Sequence, residues 1–332
     1  MRLALAGTGR IGTAHAEILR DLPDVTSVVV ADIDPDRAKA AAAELGVEFA
    51  PGIDDLFAAA PDGLVVTTAT DAHPELIIRS VETGIPVFCE KPVAADVAGT
   101  LAVIERTAGS GVEVQIGFQR RFDDGYAAAR TAVSAGALGR LHTIRATTLD
   151  PAPPPAEYIP RSGGLFRDCS VHDFDIIRWV TGREVAEVYA LGTNRGAAFF
   201  AEAGDVDTAA AVLTLDDDTI ALVSATRYNG AGYDVRMELL GANDSIAVGL
   251  SDRTPLSSAE PGVAAPQGPA YPNFMDRFHA AYVRELTTFT DVVAGRRPSP
   301  CTPADALEAF YVAEACELSR REHRPVTLAE VR

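Results

Sequence analysis

The sequence predicts an α/β protein: a parallel-sheet domain over residues 1–118, then an α+β domain over 119–332 built on an open, mostly antiparallel sheet. Two observations carry that expectation. Over the first ~120 residues short β-branched runs alternate with helical stretches, the pattern of a parallel sheet covered on both faces. After Gly117 the alternating segments are joined by turn-like clusters instead, the pattern of antiparallel hairpins.

Element by element, Leu3 to Ala6 reads as a strand, Ile11 to Asp21 as a helix and Ser27 to Asp32 as the second strand. Pro35 to Leu45 is an Ala-rich helix, with proline in its first turn and Gly46 at its end. Strands follow at Leu64 to Thr68, Val87 to Glu90 and Val112 to Gly117, with helices at Pro74 to Glu82 and Asp96 to Thr107 between them. In the second domain, Ala209 to Leu215 and Thr219 to Ala225 flank Asp216 to Asp218, while Val235 to Leu240 and Ser245 to Leu250 flank Gly241 to Asp244. Together they read as a meander. Pro255 to Pro272 is expected as an exposed loop. Two late helices are expected, Phe278 to Val293 and one capped by Thr302, and the C-terminal helix is expected to pack back on the first domain.

Composition narrows the function. The 332 residues are 47% apolar and 23% charged, ordinary for soluble domains. With 29 basic against 47 acidic residues the net charge is −18, a surface that repels nucleic-acid phosphates and anionic lipid headgroups. No apolar run reaches a membrane span, and the opening MRLALAGTGRIG breaks into glycine before a signal-peptide core can form, so a cytoplasmic protein is expected. Cysteines 89, 169, 301 and 316 have no metal-ligand spacing and read as reduced thiols outside any disulfide.

Gly7-Thr8-Gly9-Arg10-Ile11-Gly12 is a G-x-G-x-x-G between the first strand and first helix, where glycines permit a tight turn and close approach of a pyrophosphate to the helix N-terminus. Asp32 stands 20 residues after Gly12, placed to accept the ribose hydroxyl protons of an adenosine. Asp34 follows, and residue 33 is Ile rather than a cation, so nothing nearby should welcome a 2′-phosphate and NAD is favoured over NADP.

Cys89-Glu90-Lys91-Pro92 lies at the carboxyl end of a parallel strand, where open α/β sheets bind ligands. Only Lys39 and Lys91 are lysine among the 29 basic residues. In a chain that otherwise uses Arg, a lysine at this place suggests a job that needs an amine able to lose a proton. Asp168 and His172 are spaced i, i+4 in a segment whose apolar residues suit a buried helix, so carboxylate and imidazole share one face. A carboxylate fixes the tautomer of an imidazole that acts as a base. A purely local helix-surface pair is the competing explanation. Metal ligation by His172, Asp173 and Asp175 fails, because residues one and three apart cannot all converge from one helix, and no metal is expected.

Across nearly its whole length the chain resembles the glucose-fructose oxidoreductase and inositol dehydrogenase family, through GTGRIG, EKP at Glu90 to Pro92, GFQRRFD at Gly117 to Asp123 and the Asp168/His172 pair. Within that family, the Pro-rich run from Asp150 to Asp168 ending in SGGLFRD, the HDFD of His172 to Asp175 and the strand start at Tyr233 are similar to the myo-inositol 2-dehydrogenases. The resemblance implies NAD-dependent oxidation of a secondary hydroxyl of a cyclic polyol, myo-inositol first, with another inositol, a sugar or an anhydrosugar as alternatives. It implies Lys91, Asp168 and His172 as the catalytic set, His172 as the base, and further polyol contacts from Arg121, Asp150, Tyr158 and Tyr233. It adds Thr68, His73, Glu90 and Lys91 to the cofactor contacts of the glycine turn and Asp32, and a homotetramer formed through the open sheet faces. Arg227-Tyr228-Asn229, Leu149 and Gln119 depart from the family pattern and are candidate pocket residues. An NAD-dependent glycosidase and a non-catalytic sugar sensor of the same fold are the competing functions.

Overall fold

Long apolar runs with no alternation need burial on both faces, and the first sheet provides it. The computed structural model describes residues 1–332 and divides into two units, Met1–Gln119 with Ala280–Leu307 and Arg120–His279 with Glu308–Arg332. The first unit holds β1 (Arg2–Ala6), α1 (Arg10–Asp21), β2 (Ser27–Ala31), α2 (Pro35–Leu45), β3 (Glu48–Phe49), α3 (Ile53–Ala58), β4 (Gly63–Val66), α4 (His73–Glu82), β5 (Val87–Glu90), α5 (Val97–Thr107) and β6 (Val114–Gly117). Its six strands are parallel, in the order β3-β2-β1-β4-β5-β6. The order reverses between β1 and β4, which opens a crevice beyond their carboxyl ends. β3 and α3, two and six residues long, are too short to leave a periodic trace in the sequence.

Helix punctuation works as the sequence suggests. The Asp34 side chain accepts the amides of Asp36 and Arg37 at the start of α2, and Gly46 closes it at φ 68°.

The second unit contains α6 (Asp124–Ser134), β7 (Leu141–Leu149), α7 (Val171–Thr181), β8 (Val185–Thr193), α8 (Phe199–Glu202), β9 (Thr208–Leu215), β10 (Ile220–Thr226), β11 (Asp234–Gly241), β12 (Ser245–Val248) and the terminal β13 (Val326–Thr327). The long helices α9 (Phe274–Val293) and α10 (Pro303–Glu322) each contribute residues to both units. Residues 280–307, within the range 119–332 expected for the second domain, group with the first unit: Phe289 packs on Phe88 at 5.9 Å, and the side chain of Val293 lies against Gly63. Thr302 and Asp305 exchange bonds at the start of α10, Thr302 N to Asp305 Oδ2 at 2.8 Å and Asp305 N to Thr302 Oγ1 at 3.2 Å, a cap worth about 1 kcal/mol.

Both expected hairpins are present, β9 with β10 and β11 with β12, but they do not form one meander. The sheet runs β12-β11-β7-β10-β9-β8-β13, with β7 between the hairpins, antiparallel to β11 and parallel to β10. All the other pairings in this sheet are antiparallel. One face is buried, while the other exposes Tyr189, Leu191, Val212, Ile220 and Leu222. Residues 255–272 run as turns and coil, with one bridge between Tyr233 and Tyr271.

Candidate active site

At the β1–α1 turn, backbone geometry dictates the glycines. Gly7 has φ 97°, and a Cβ there would lie 2.7 Å from the Thr67 backbone; a Cβ on Gly12 would lie 1.8 Å from the Gly7 carbonyl oxygen. Gly9 differs, because a Cβ there meets nothing within 4 Å. The α1 N-terminus receives no side-chain cap, so the amides of Arg10, Ile11 and Gly12 and the helix dipole face the open side of the turn, a fit for a pyrophosphate.

Asp32 is buried just after β2; its Oδ2 accepts from Thr8 N (2.6 Å), Thr8 Oγ1 (3.1 Å) and Arg37 Nε (3.2 Å), and its Oδ1 from Asp34 N (3.0 Å) and Arg37 Nη2. Burial opposes its ionisation, but the bonds from Arg37, Asp34 and Thr8 outweigh that and bring its pKa to about 2. A cation, Arg37, does lie beside this acid, but its guanidinium is paired with Asp32 itself. Asp34 caps α2, which sets Arg37 in the first turn with its guanidinium on Asp32. Ile33, 94% exposed beside this acid, offers an apolar surface of the kind an adenine ring covers.

At the ends of β4 and β5, His73 is buried with Nδ1 2.7 Å from Pro92 O and Nε2 3.1 Å from Thr68 O. Burial pushes its pKa down, against the pull of these carbonyls, and the neutral ring, with one N–H, donates to one of the two while lying between the Thr68 segment and the residue after Lys91. Glu90 Oε1 lies 2.8 Å from His15 Nε2, and the His15 side chain is 0% exposed. Lys91, half-buried, follows directly on this anchored Glu90.

In the second unit, Gly163 and Gly164 (φ 80° and 96°) lead into a π-helical turn, Phe166–Ser170, that runs on into α7. Such widened turns occur often at functional sites. Leu165, Phe166, Cys169, Phe174 and Ile177 anchor the segment in the core, leaving Asp168 and His172 half-buried. Asp168 Oδ1 accepts from Tyr158 OH (2.9 Å) and Oδ2 from Arg227 Nη2 (2.6 Å). Arg227 Nη1 donates to Asp150 Oδ2 (2.9 Å), which Cys169 Sγ also approaches at 3.8 Å. Three of the predicted residues, Asp150, Tyr158 and Asp168, thus gather around Arg227. Burial pushes the Asp150 carboxyl up, partly opposed by Arg227; burial and the Asp168 charge push the Tyr158 phenol far up, so it remains a donor.

Arg121 and Tyr233 have partners of their own outside that cluster. Arg121 Nε and Nη2 donate to Asp175 at 2.9 and 2.5 Å, while Arg120 holds Asp173 at 2.5 Å and Thr148 Oγ1 at 2.8 Å. The two acids of HDFD are therefore partners of the two arginines of QRRF, and breaking either buried pair would cost about 3–5 kcal/mol. Tyr233 is buried with its amide on Tyr271 O (2.9 Å), and burial pushes its phenol well above the usual range. Of the other departures from the family pattern, Tyr228 OH accepts from Ala197 N (2.9 Å), and Asn229 holds Asp150 O through its amide (2.7 Å).

Residues 1–118 match the oxidoreductase family with an NAD-binding Rossmann fold, and residues 126–247 match the GFO/IDH/MocA C-terminal domain. The chain belongs to this family. It is 38% identical to a myo-inositol dehydrogenase of Streptomyces leeuwenhoekii, over 96% of this chain and 97% of that one. It is 36% identical to the myo-inositol 2-dehydrogenase of Thermotoga maritima, over 100% and 99%. Among solved structures it is similar to the scyllo-inositol dehydrogenase of Lactobacillus casei with bound NAD(H) and scyllo-inositol, with TM-score 0.89, 30% identity and coverage of 99% of both chains.

Within this GFO/IDH/MocA oxidoreductase, His15 and Arg37 shape the site but carried no assigned role in the sequence, and Arg227 stood there only as a candidate pocket residue. His15 left a readable trace, a polar residue on the apolar face of α1 between Gly12 and Ile18. Arg37 could have been placed from the Asp34-Pro35 helix start. The hold of Arg227 on two carboxylates left no local trace, since these partners lie 59 and 77 residues away.

Proposed function

We propose that the protein oxidises a secondary hydroxyl of a cyclic polyol with NAD, converting myo-inositol to 2-keto-myo-inositol. The observation that carries this is Asp168, gripped between the Tyr158 hydroxyl and the Arg227 guanidinium and set one turn before His172. The names of the full-length relatives, dehydrogenases of myo- and scyllo-inositol, support the substrate class.

NAD supplies the acceptor for the hydride that leaves the carbinol carbon. His172 takes the hydroxyl proton, and Asp168 on the same helix face orients the ring and stabilises the imidazolium that forms. Lys91 bonds the reacting oxygen as its O–H proton departs. The carboxylates and the phenol of Asp150, Asp168 and Tyr158 supply acceptors and a donor suited to a neutral molecule rich in hydroxyls, with Arg121 and Tyr233 as further proposed contacts. Thr68, His73 and Glu90 complete the proposed cofactor contacts by holding the turn that carries Lys91.

The test is NADH formation from NAD with myo-, scyllo- and chiro-inositol, glucose and an anhydrosugar side by side. Myo-inositol should give the highest kcat/KM. Turnover of the anhydrosugar with none of any inositol would overturn the substrate, and absence of steady NADH production from every polyol would favour a glycosidase or a sensor.

The reading extends to assembly and setting. Tyr189, Val212 and Leu222 pair across β8, β9 and β10 as one exposed apolar row, flanked by Leu191 and Ile220. Self-complementary burial of such a face supports a homotetramer; a wild-type chain that sediments as a monomer refutes it. No helix is long and apolar enough to cross a membrane, and none of the four cysteines is in a disulfide, which suits a cytoplasmic enzyme. Nucleic acid and membrane are not proposed as partners.

A further inference from the structure

We propose that Arg227 is a positioning residue for the oxidation: its two terminal nitrogens join Asp150 to Asp168, holding Asp168 in one orientation and balancing its charge. The inference rests on the polyol dehydrogenase reading, because it acts through the Asp168/His172 pair.

The geometry is specific. The Arg227 side chain is 5% exposed, with Nη1 2.9 Å from Asp150 Oδ2 and Nη2 2.6 Å from Asp168 Oδ2. A planar guanidinium can address two carboxylates at once, whereas an ammonium is a point charge with no fixed fork. The second oxygen of Asp168 is held by Tyr158 OH, so the carboxylate is gripped through both oxygens by segments other than its own helix. Its orientation therefore depends on Arg227 and Tyr158 as much as on the π-helical turn that carries it.

Charge adds a second constraint. Asp150 and Asp168 share the one guanidinium, and both are mostly buried, with side-chain exposures of 19% and 13%. The charged and titratable groups facing the cluster from the surrounding elements are Asp150 after β7, Tyr158, Cys169 in the π-helical turn, Asp205 before β9 and Tyr233 before β11, with His172 four residues after Asp168 on α7. Without Arg227, two nearby carboxylates would compete for a proton. An Asp168 that took it could not stabilise the imidazolium. If Asp168 stayed charged, the loss of the neighbouring cation would favour protonated His172, and higher pH would be needed to free the base.

The experiment uses the full-length enzyme with NAD and has two readouts. The first is the pH dependence of kcat and kcat/KM for myo-inositol oxidation in wild type, Arg227→Gln, Arg227→Lys and Arg227→Gln/Asp150→Asn. Arg227→Gln should lose roughly 10² in kcat, the scale of a misplaced catalytic group. The pH midpoint of kcat/KM should rise by about one unit, as expected for removal of a neighbouring charge. Arg227→Lys should keep the wild-type midpoint with reduced kcat, and Asp150→Asn in the Gln background should return the midpoint toward wild type. The second readout is the 13C-carboxyl resonance of Asp168 in aspartate-labelled enzyme, assigned with Asp168→Asn. It should titrate at least about one pH unit higher in Arg227→Gln than in wild type.

Arg227→Gln with kcat/KM within about threefold of wild type and an unmoved midpoint would overturn the proposal, as would an unmoved Asp168 resonance. If Arg227→Gln does not fold, Arg227→Lys decides: a shifted midpoint overturns the proposal, and an unshifted midpoint with lower kcat supports it. If wild type turns over no polyol, the functional reading fails, while the carboxyl titration still decides whether Arg227 governs Asp168.

Discussion

The cofactor half and the polyol half of this enzyme solve their binding problems with different materials. In the first unit the β1–α1 turn is built from backbone, with glycines whose missing Cβ atoms make room, and a single carboxylate, Asp32, stands beside it as the proposed source of selectivity. In the second unit the corresponding surface is built from side chains that grip one another, Tyr158 and Arg227 on Asp168 and Arg227 on Asp150. A backbone site is dictated by a short run of sequence and fails by steric clash. A side-chain site is assembled from distant segments, and it fails by degrees as charge or orientation is lost.

The largest effects should come from the residues proposed to touch the reacting hydroxyl. Lys91→Arg and Lys91→Met are each expected to lose roughly 10² to 10⁴ in kcat, the usual size of a positioned proton-transfer or polarising group. NADH affinity, followed by fluorescence titration, should survive, because Lys91 is one proposed cofactor contact among several and the glycine turn and Asp32 remain. His172→Ala should cost more than Asp168→Asn, since one removes the proposed base and the other only its proposed support. The contrast between the two halves would break if Lys91→Arg kept most of its activity, for Lys91 would then serve as a cation and nothing more. An unchanged rate for His172→Ala would remove it from the mechanism.

The same contrast explains what the sequence reveals. In the first unit, strand, glycine turn, helix and acid are consecutive, so their spacing alone locates them, and the boundaries of α2 and β5 follow from Pro35, Gly46 and the apolar run at Val87. In the second unit the hairpin turns at Asp216 to Asp218 and Gly241 to Asp244 are legible because they are local. The insertion of β7 beside β10 is not, because a parallel partner 77 residues away leaves no turn to read. The site follows the same rule. Asp168 and His172 are visible as an i, i+4 pair, but the pairing of Arg120 and Arg121 with Asp173 and Asp175 spans more than 50 residues, and so does the hold of Arg227 on Asp168. Periodicity places residues on a face; it does not say which distant charge will meet them there.

A smaller effect tests whether selectivity in the cofactor half rests on one side chain. Asp32 should favour NAD over NADP by at least about 10-fold in kcat/KM, or about 1.4 kcal/mol, because a 2′-phosphate would meet its charge. Arg37 lies on that same carboxylate, so Asp32→Ser should release a cation at the place a 2′-phosphate would occupy. In Asp32→Ser the kcat/KM for NADP should rise by roughly 10-fold, and Asp32→Ser/Arg37→Gln should lose that gain. The pH dependence carries a definite sign. The Asp32 pKa is depressed to about 2, so its contribution to folded-state stability is complete above the unfolded value of about 4 and is lost only as pH falls from there toward 2. At neutral and alkaline pH the carboxylate is ionised throughout, and above about pH 7 the 2′-phosphate has also reached its dianionic form. The NAD-to-NADP ratio of kcat/KM should therefore be flat between pH 7 and 9. A ratio that changes by more than about threefold across that interval would mean that a group other than Asp32 sets the choice of cofactor, and the cofactor half would then resemble the polyol half in depending on a coupled set of side chains.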